Sequence, residues 1–124
     1  MDTHTFKHLI YTLSWQLGAK VISIHPPEVT PNFIAAHLQL NTQDFYILCS
    51  ENNDWAFSQQ LLPFTLQFID IPLLANALHY LAHISVYSNH QLYGPFIAQS
   101  WMSKHDISYW KPKTLGDALF NWWD

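Results

Sequence analysis

The chain has 124 residues, of which 49% are hydrophobic and 16% aromatic, while only 11% carry a charge. This composition is typical of a folded globular protein and excludes a disordered one, and the length predicts one domain spanning residues 1–124. The five basic residues are all lysines, and the formal net charge is −4. Because a nucleic-acid surface requires positive charge and usually arginine, we expect no direct binding of nucleic acid.

Cys49 is the only cysteine, which excludes an intrachain disulfide and a secreted disulfide scaffold. No apolar run is long enough for a transmembrane helix, and the first seven residues are too polar for a secretory signal. The three glycines form no phosphate-binding cluster. We therefore expect a cytoplasmic protein that does not enter a membrane.

The first predicted element is a helix from Thr3 to Leu17, capped by Thr3 or Thr5 and ended by Gly18. Its apolar residues keep the spacing of one helix face: Phe6, Leu9, Ile10, Leu13 and Leu17.

An antiparallel meander is predicted next, because apolar and polar residues alternate between turn-forming clusters. Its predicted strands are Val21–Ile24, Phe33–Leu40, Phe45–Cys49, Trp55–Phe57 and Phe64–Ile69. Pro26 and Pro27 end the first strand, and the later turns are Asn41–Asp44, Glu51–Asp54 and the break at Pro63.

A second helix is predicted from Pro72 to Ala82, since Asp70 and Pro72 form a helix-start signal. Its extent beyond Ala82 is open, because Ile84–Tyr87 suits a strand as well as a helix. Asn89–Gln91 is predicted to be a loop, and Gly94 and Pro95 are predicted to open a short helix that ends near Lys104.

The last predicted helix has about three turns and begins after Thr114, whose hydroxyl can form a capping box with Asp117. Leu115, Ala118, Leu119 and Trp122 lie on one of its faces. Ser108–Trp110 is predicted to be extended as it approaches Pro112. The helix either packs into the core or contributes aromatic side chains to a ligand site.

These elements predict an α+β fold. It has a single antiparallel β-sheet of four or five strands, with an N-terminal helix and C-terminal helices packed on it.

His79 and His83 have the four-residue spacing that can place two imidazoles on one metal ion. The residues between them lack the glutamate of a zinc-peptidase motif, so we predict ordinary surface histidines and neither metal nor cofactor. A small-ligand or metal-binding domain that uses His79, His83 and the aromatic residues is the alternative function. Cys49 lies among apolar residues without a cationic neighbour, and no nucleophile-elbow, Walker or Rossmann pattern occurs. We therefore predict no catalytic residue and no enzyme.

Three acidic residues of the meander, Asp44, Glu51 and Asp54, fall in predicted turns, and Trp55 follows directly. An acidic patch beside an exposed aromatic residue is suited to binding a basic protein, because charge steers the encounter and the aromatic ring anchors it. These four residues are therefore the candidate partner-binding site. The alternative interpretation is a solvated turn beside a tryptophan of the core.

Three segments resemble the C-terminal end of small bacterial immunity proteins of polymorphic-toxin and contact-dependent inhibition systems. They are Tyr109–Pro112, Leu115–Asp117 and Phe120–Asp124, the last with the pattern Phe-Asn-x-Trp-Asp. The resemblance implies a cytosolic, non-catalytic protein, monomeric when free, that occludes the active site of a cognate toxin domain. A nuclease with a basic cleft would suit the acidic, arginine-free chain. No interface residue of that family can be transferred to this sequence.

Overall fold

A computed structural model describes residues 1–26 and 30–123 of the protein. Its elements are α1 (Thr3–Leu17), β1 (Lys20–His25), β2 (Phe33–Leu40), β3 (Gln43–Ser50), β4 (Trp55–Leu62), β5 (Thr65–Ile69), α2 (Pro72–Ala82), α3 (Asn89–Leu92), α4 (Lys104–Trp110) and α5 (Leu115–Leu119). The fold is α+β as predicted, with an N-terminal helix, a five-stranded antiparallel sheet and then C-terminal helices. The predicted break at Pro27 lies outside the described residues.

The five strands lie in the sheet in their chain order, and each pairs antiparallel with the next. Asn41 and Thr42 both have positive φ, at 52° and 67°, and close a two-residue hairpin between β2 and β3. This turn geometry matches the twist of the strands. The turn is therefore shorter than predicted, because Gln43 and Asp44 already belong to β3.

Helices cover both faces of the sheet, which explains why β2, β3 and β4 contain runs of consecutive buried residues. On one face α1 and α2 pack against alternate strand residues. Buried members of this cluster include Phe6, Ile10, Leu13, Ile34, Ala36, Ile47, Phe57, Leu74 and Leu78. On the other face the C-terminal segment packs through Leu92, Leu115, Leu119 and Phe120 against Phe33, Ala35, Leu48, Ala56 and Phe68.

The first helix has the predicted length, but Asp2 caps it instead of Thr3 or Thr5. The backbone amide of Thr5 donates to Asp2 Oδ1 at 2.7 Å. At its other end Gly18 has a φ of 71°, and the following amide of Ala19 donates to the carbonyl of Ser14. The predicted glycine stop is confirmed.

The second helix ends at Ala82 because His83 adopts a left-handed conformation with a φ of 54°. The chain then runs extended beside β4. Val86 forms an isolated parallel bridge with Trp55, and the amide of Tyr87 donates to the carbonyl of Trp55 at 2.9 Å. The strand-like alternative for Ile84–Tyr87 is therefore the better description.

Three predictions for residues 89–110 were wrong. Asn89–Leu92 is a short helix instead of a loop, because the side chains of Ser88 and Gln91 form a capping box at its start. No helix begins at Gly94, since Pro95 bridges to Thr114 and holds this stretch extended.

The helix of this region is α4, which includes the Ser108–Trp110 stretch that was predicted to be extended. Ser103 caps it, accepting from the amide of Asp106 at 3.0 Å. Pro112 excludes the helical conformation only for the residue directly before it. That residue, Lys111, has a φ of 49° and ends the helix.

The capping box of Thr114 and Asp117 is confirmed, with each side chain accepting from the other residue's backbone amide. The helix that it starts stops at Leu119, so it has fewer turns than predicted. Phe120 is extended because Asn121 leaves the helix to pair with Asn32. Phe64, predicted to begin β5, instead occupies the preceding turn with a φ of 58°.

Candidate functional site

The three acidic residues of the predicted site do not form one patch. Asp44 is the second residue of β3, whereas Glu51 and Asp54 lie in the turn that follows its last residue. At about 3.3 Å per residue, positions 44 and 51 are separated by about 23 Å. The structure brings Glu51 and Asp54 into one turn and leaves Asp44 at the opposite end of the strand.

Trp55 is a core residue, with only 3% of its surface exposed. Its ring packs on Phe6 of α1 at a centroid separation of 5.6 Å. The interpretation of Trp55 as an exposed anchor is therefore wrong, and the alternative of a core tryptophan is correct. The sequence could not distinguish the two, because the burial of the first residue of β4 depends on α1, which lies far away in the chain.

A cavity of about 860 Å³ opens beside Asp54 and the edge of Trp55. Its walls come from the start of α1, from the turn between β3 and β4, and from the extended segment His83–Tyr87, with Gln91 of α3 at one side. The cavity therefore combines two of the predicted partner-binding residues with one of the two histidines.

Ser50 holds Asp54 at the wall of this cavity. The amide of Asp54 donates to Ser50 Oγ at 3.0 Å, and that hydroxyl donates to Asp54 Oδ2 at 3.3 Å. The amide of Ser50 also donates to the carbonyl of Asp54 at 2.9 Å. These hydrogen bonds close the turn and fix the position of Asp54, which lines the cavity together with Tyr87.

Burial raises the pKa of Asp54 above its ordinary value, and the hydroxyl of Ser50 offsets part of that effect. Burial also raises the pKa of Tyr87, and the negative charge of Asp54 adds to the increase. Titratable groups perturbed by desolvation beside a cavity are typical of functional sites, although structural groups are perturbed as well. Asp54 and Tyr87 are thus two groups with pKa values raised by burial that line one cavity.

Asp44 lies away from this cavity, near aromatic side chains of β1, β2 and β3. The ring of His37 stacks on Tyr46 with centroids 4.6 Å apart, and the ring centroid of His25 lies 6.5 Å from that of Tyr46. His37 Nε2 is 3.6 Å from Asp44 Oδ1, which is too long for a hydrogen bond.

Glu51 is fully on the surface. Its backbone amide donates to the carbonyl of Asn32 at 2.8 Å, which fixes the turn, while its side chain is exposed to solvent. It lies three residues before Asp54, at the same end of β3 as the cavity, and extends the negative charge of that end.

His79 and His83 have ring centroids 6.4 Å apart and nearly perpendicular planes. Both side chains are exposed. Over residues 1–26 and 30–123, no group of three or more His, Cys, Asp and Glu side chains could hold a metal ion. The pair therefore offers two ligands at most from the part of the chain that the structure describes.

The tail contains a further, aromatic groove of about 440 Å³, lined by Phe64, Trp110, Trp122 and Trp123 together with Lys111. Trp110 and Trp123 stack in parallel, with centroids 6.3 Å apart. The prediction that tail residues pack into the core is confirmed for Leu115, Leu119 and Phe120, which are buried. This groove is the geometric counterpart of the alternative interpretation, an aromatic ligand site.

Sequence reasoning missed Tyr87, His37 and Tyr46. The two-residue turn at Asn41 and Thr42 would have revealed the last two, because pairing Leu40 with Gln43 places His37 opposite Tyr46. No comparable local signal existed for Tyr87, whose position depends on the bridge between Val86 and Trp55.

In comparisons with known proteins, no family model, no curated protein and no solved structure matches this chain. None of the helices in the described residues is long and apolar enough to cross a membrane.

Proposed function

We propose that this protein is an immunity protein that binds a cognate bacterial toxin domain and occludes its active site. It acts in the cytoplasm, has no catalytic activity of its own, and is a monomer until it meets the toxin. The toxin that best suits an acidic, arginine-free partner is a nuclease with a basic substrate cleft.

The observation that carries this proposal is the C-terminal motif that resembles such immunity proteins. Its Gly116 packs so closely on Phe68 that an added Cβ would lie 2.4 Å from the ring. Its Asn121 is buried and exchanges hydrogen bonds with Asn32. The motif residues therefore have structural reasons for their identity, which supports a resemblance in architecture and leaves the partner surface to other residues.

The distribution of charge supports a basic partner. Glu51 and Asp54 lie at one end of the sheet, where Asp54 lines the cavity of about 860 Å³. The described residues that line it include no lysine, but they include Met1, whose ammonium group donates to Asn53 Oδ1. Three of the five lysines, Lys104, Lys111 and Lys113, belong to the tail region. The cavity end of the sheet is thus the surface that best suits a basic cleft.

Co-expression with the protein encoded directly upstream tests the proposal. We expect the chain to restore growth that the toxin suppresses, and to form a one-to-one complex in size-exclusion chromatography with light scattering. A toxin from an unrelated system is the control and should remain uninhibited. Neither a complex nor restored growth with the upstream protein would refute the proposal.

The alternative function, a small-ligand or metal-binding domain, rests on the close approach of His79 and His83. Metal analysis of protein purified without a histidine tag tests it. A stoichiometric metal that disappears in a His79→Ala variant would favour this alternative over toxin binding.

A further inference from the structure

The cavity beside Asp54 combines one carboxylate with an apolar wall. Half-buried Val86 contributes apolar surface beside the buried Trp55 and Ile84, and Tyr87 lines the same cavity. The volume of about 860 Å³ is several times that of one long side chain, and the cavity opens to solvent. It can therefore admit a side chain with a long apolar stem from outside.

Two carboxylates border the cavity and differ in exposure, since Asp2 is exposed to solvent whereas Asp54 is half-buried. Asp2 already caps α1 by accepting from the amide of Thr5. Asp54 accepts from Ser50 Oγ at 3.3 Å, and among the described residues this is the only hydrogen bond to its carboxylate. Met1 also borders the cavity, but its ammonium group donates to Asn53 Oδ1, and among the described residues no ion pair forms with Asp54. A half-buried carboxylate with one long hydrogen bond and no ion-pair partner favours a positively charged donor from outside.

We propose that this cavity receives a lysine or arginine side chain of the toxin, whose cationic head pairs with Asp54 while its stem lies against Val86. The stems of these side chains are apolar, and their heads are the strongest donors to a carboxylate. This inference rests on the proposed function, because it names the chemistry that the partner brings to the site. An anionic group is disfavoured here because Asp54 would repel it.

The first test needs no toxin. Backbone amide spectra are recorded by NMR during titration with n-butylguanidinium, which mimics an arginine side chain, and with neutral n-butylurea as the matched control. We expect saturable shifts at Asn53, Asp54 and Tyr87 with a midpoint on the order of millimolar, as befits so small a ligand. Butylurea should produce no such shifts, and Asp54→Asn should abolish those of butylguanidinium. Shifts that are absent, or that persist in Asp54→Asn, would overturn the inference.

The second test uses the complex. Asp54→Asn should raise the Kd for the toxin at least about tenfold, because it leaves a buried cation unpaired in the complex. Asp44→Asn, the same change at the other end of β3, should alter the Kd less than about twofold. Thermal denaturation of both variants without toxin verifies that each is folded.

The two proposals fail in different ways. If the wild type binds the toxin and Asp54→Asn binds it with the same Kd, the inference about the basic side chain is overturned. The proposed immunity function is then unaffected. If wild type binds no toxin but the butylguanidinium shifts appear and depend on Asp54, the cation site stands and the proposed function fails.

Discussion

Asn32 and Asn121 lie 89 residues apart in the chain and hold each other through two hydrogen bonds. The amide of Asn32 donates to the carbonyl of Asn121, and the amide of Asn121 donates to Asn32 Oδ1, both at 2.9 Å. The side chain of Asn32 also donates to the carbonyl of Leu119 at 3.1 Å. This buried pair fastens the tail to the chain just before β2 and so satisfies the backbone groups where α5 ends.

We expect Asn32→Ala to lower the free energy of unfolding by about 2–4 kcal/mol, because it leaves a buried amide and a buried carbonyl without partners. Urea denaturation followed by tryptophan fluorescence measures the loss. Asn76→Ala, at an exposed position of α2, is the matched control and should change stability by less than about 0.5 kcal/mol. Equal stabilities for the two variants would contradict the role of the asparagine pair.

We expect Gly116→Ala to destabilise the protein by at least about 1 kcal/mol, although alanine is the better helix former. The reason is steric, since the new methyl group would lie 2.4 Å from Phe68 Cε2 and 3.1 Å from the carbonyl oxygen of Leu92. A double-mutant cycle with Phe68→Leu separates this contact from other effects. The Gly116→Ala penalty should shrink in the Phe68→Leu background, and a purely additive pair would exclude the steric cause.

Asp54→Asn should increase the stability of the free protein near neutral pH. Burial raises the pKa of Asp54 in the folded state, so folding disfavours the charged carboxylate and the wild type loses stability as the pH rises through that pKa. The extra stability of Asp54→Asn over the wild type should therefore be fully present above the raised pKa and vanish below the ordinary pKa of 3.8. Chemical denaturation across this pH range measures it, and a difference that is independent of pH would contradict the cause.

Reversing the charges of Asp44, Glu51 and Asp54 together should slow association with the toxin and weaken its salt dependence. Because β3 separates these residues, single changes distinguish its two ends. We expect Glu51→Lys to slow association about three- to tenfold at low salt, and Asp44→Lys to leave it within about twofold. Stopped-flow kinetics at low and high salt provide the measurement. If only Asp44→Lys slows association, the toxin binds at the end of β3 near His37 and Tyr46.

Cys49 should resist thiol reagents in the folded protein. It is buried in β3, and burial raises the pKa of its thiol to about 11. Reaction with Ellman's reagent should be at least about a hundredfold slower than in urea, since a buried, protonated thiol is neither accessible nor nucleophilic. Rapid stoichiometric labelling of the native protein would show that this part of the sheet opens easily.

Local patterns predicted the elements whose signals lie within a few neighbouring residues. The apolar spacing of α1 and α2 and the alternation of the strands predicted the α+β fold. Gly18 correctly marked the end of α1, and the Thr114–Asp117 capping box correctly marked the start of α5. Each of these signals depends on contacts no more than four residues apart, which the sequence displays directly. The short helices α3 and α4 were missed, although the caps that start them, Ser88 with Gln91 and Ser103 with Asp106, are also local signals.

The candidate site shows the same division more sharply. The sequence by itself determined that the chain is acidic and lacks arginine, and that Asp44, Glu51 and Asp54 lie at or near strand ends. Only the tertiary structure decided that Trp55 is buried under α1 and that Asp54 borders a cavity with Tyr87. Burial and desolvation arise when distant segments pack together. The residue types were therefore visible in the sequence, but the environment that gives Asp54 its altered acidity was not.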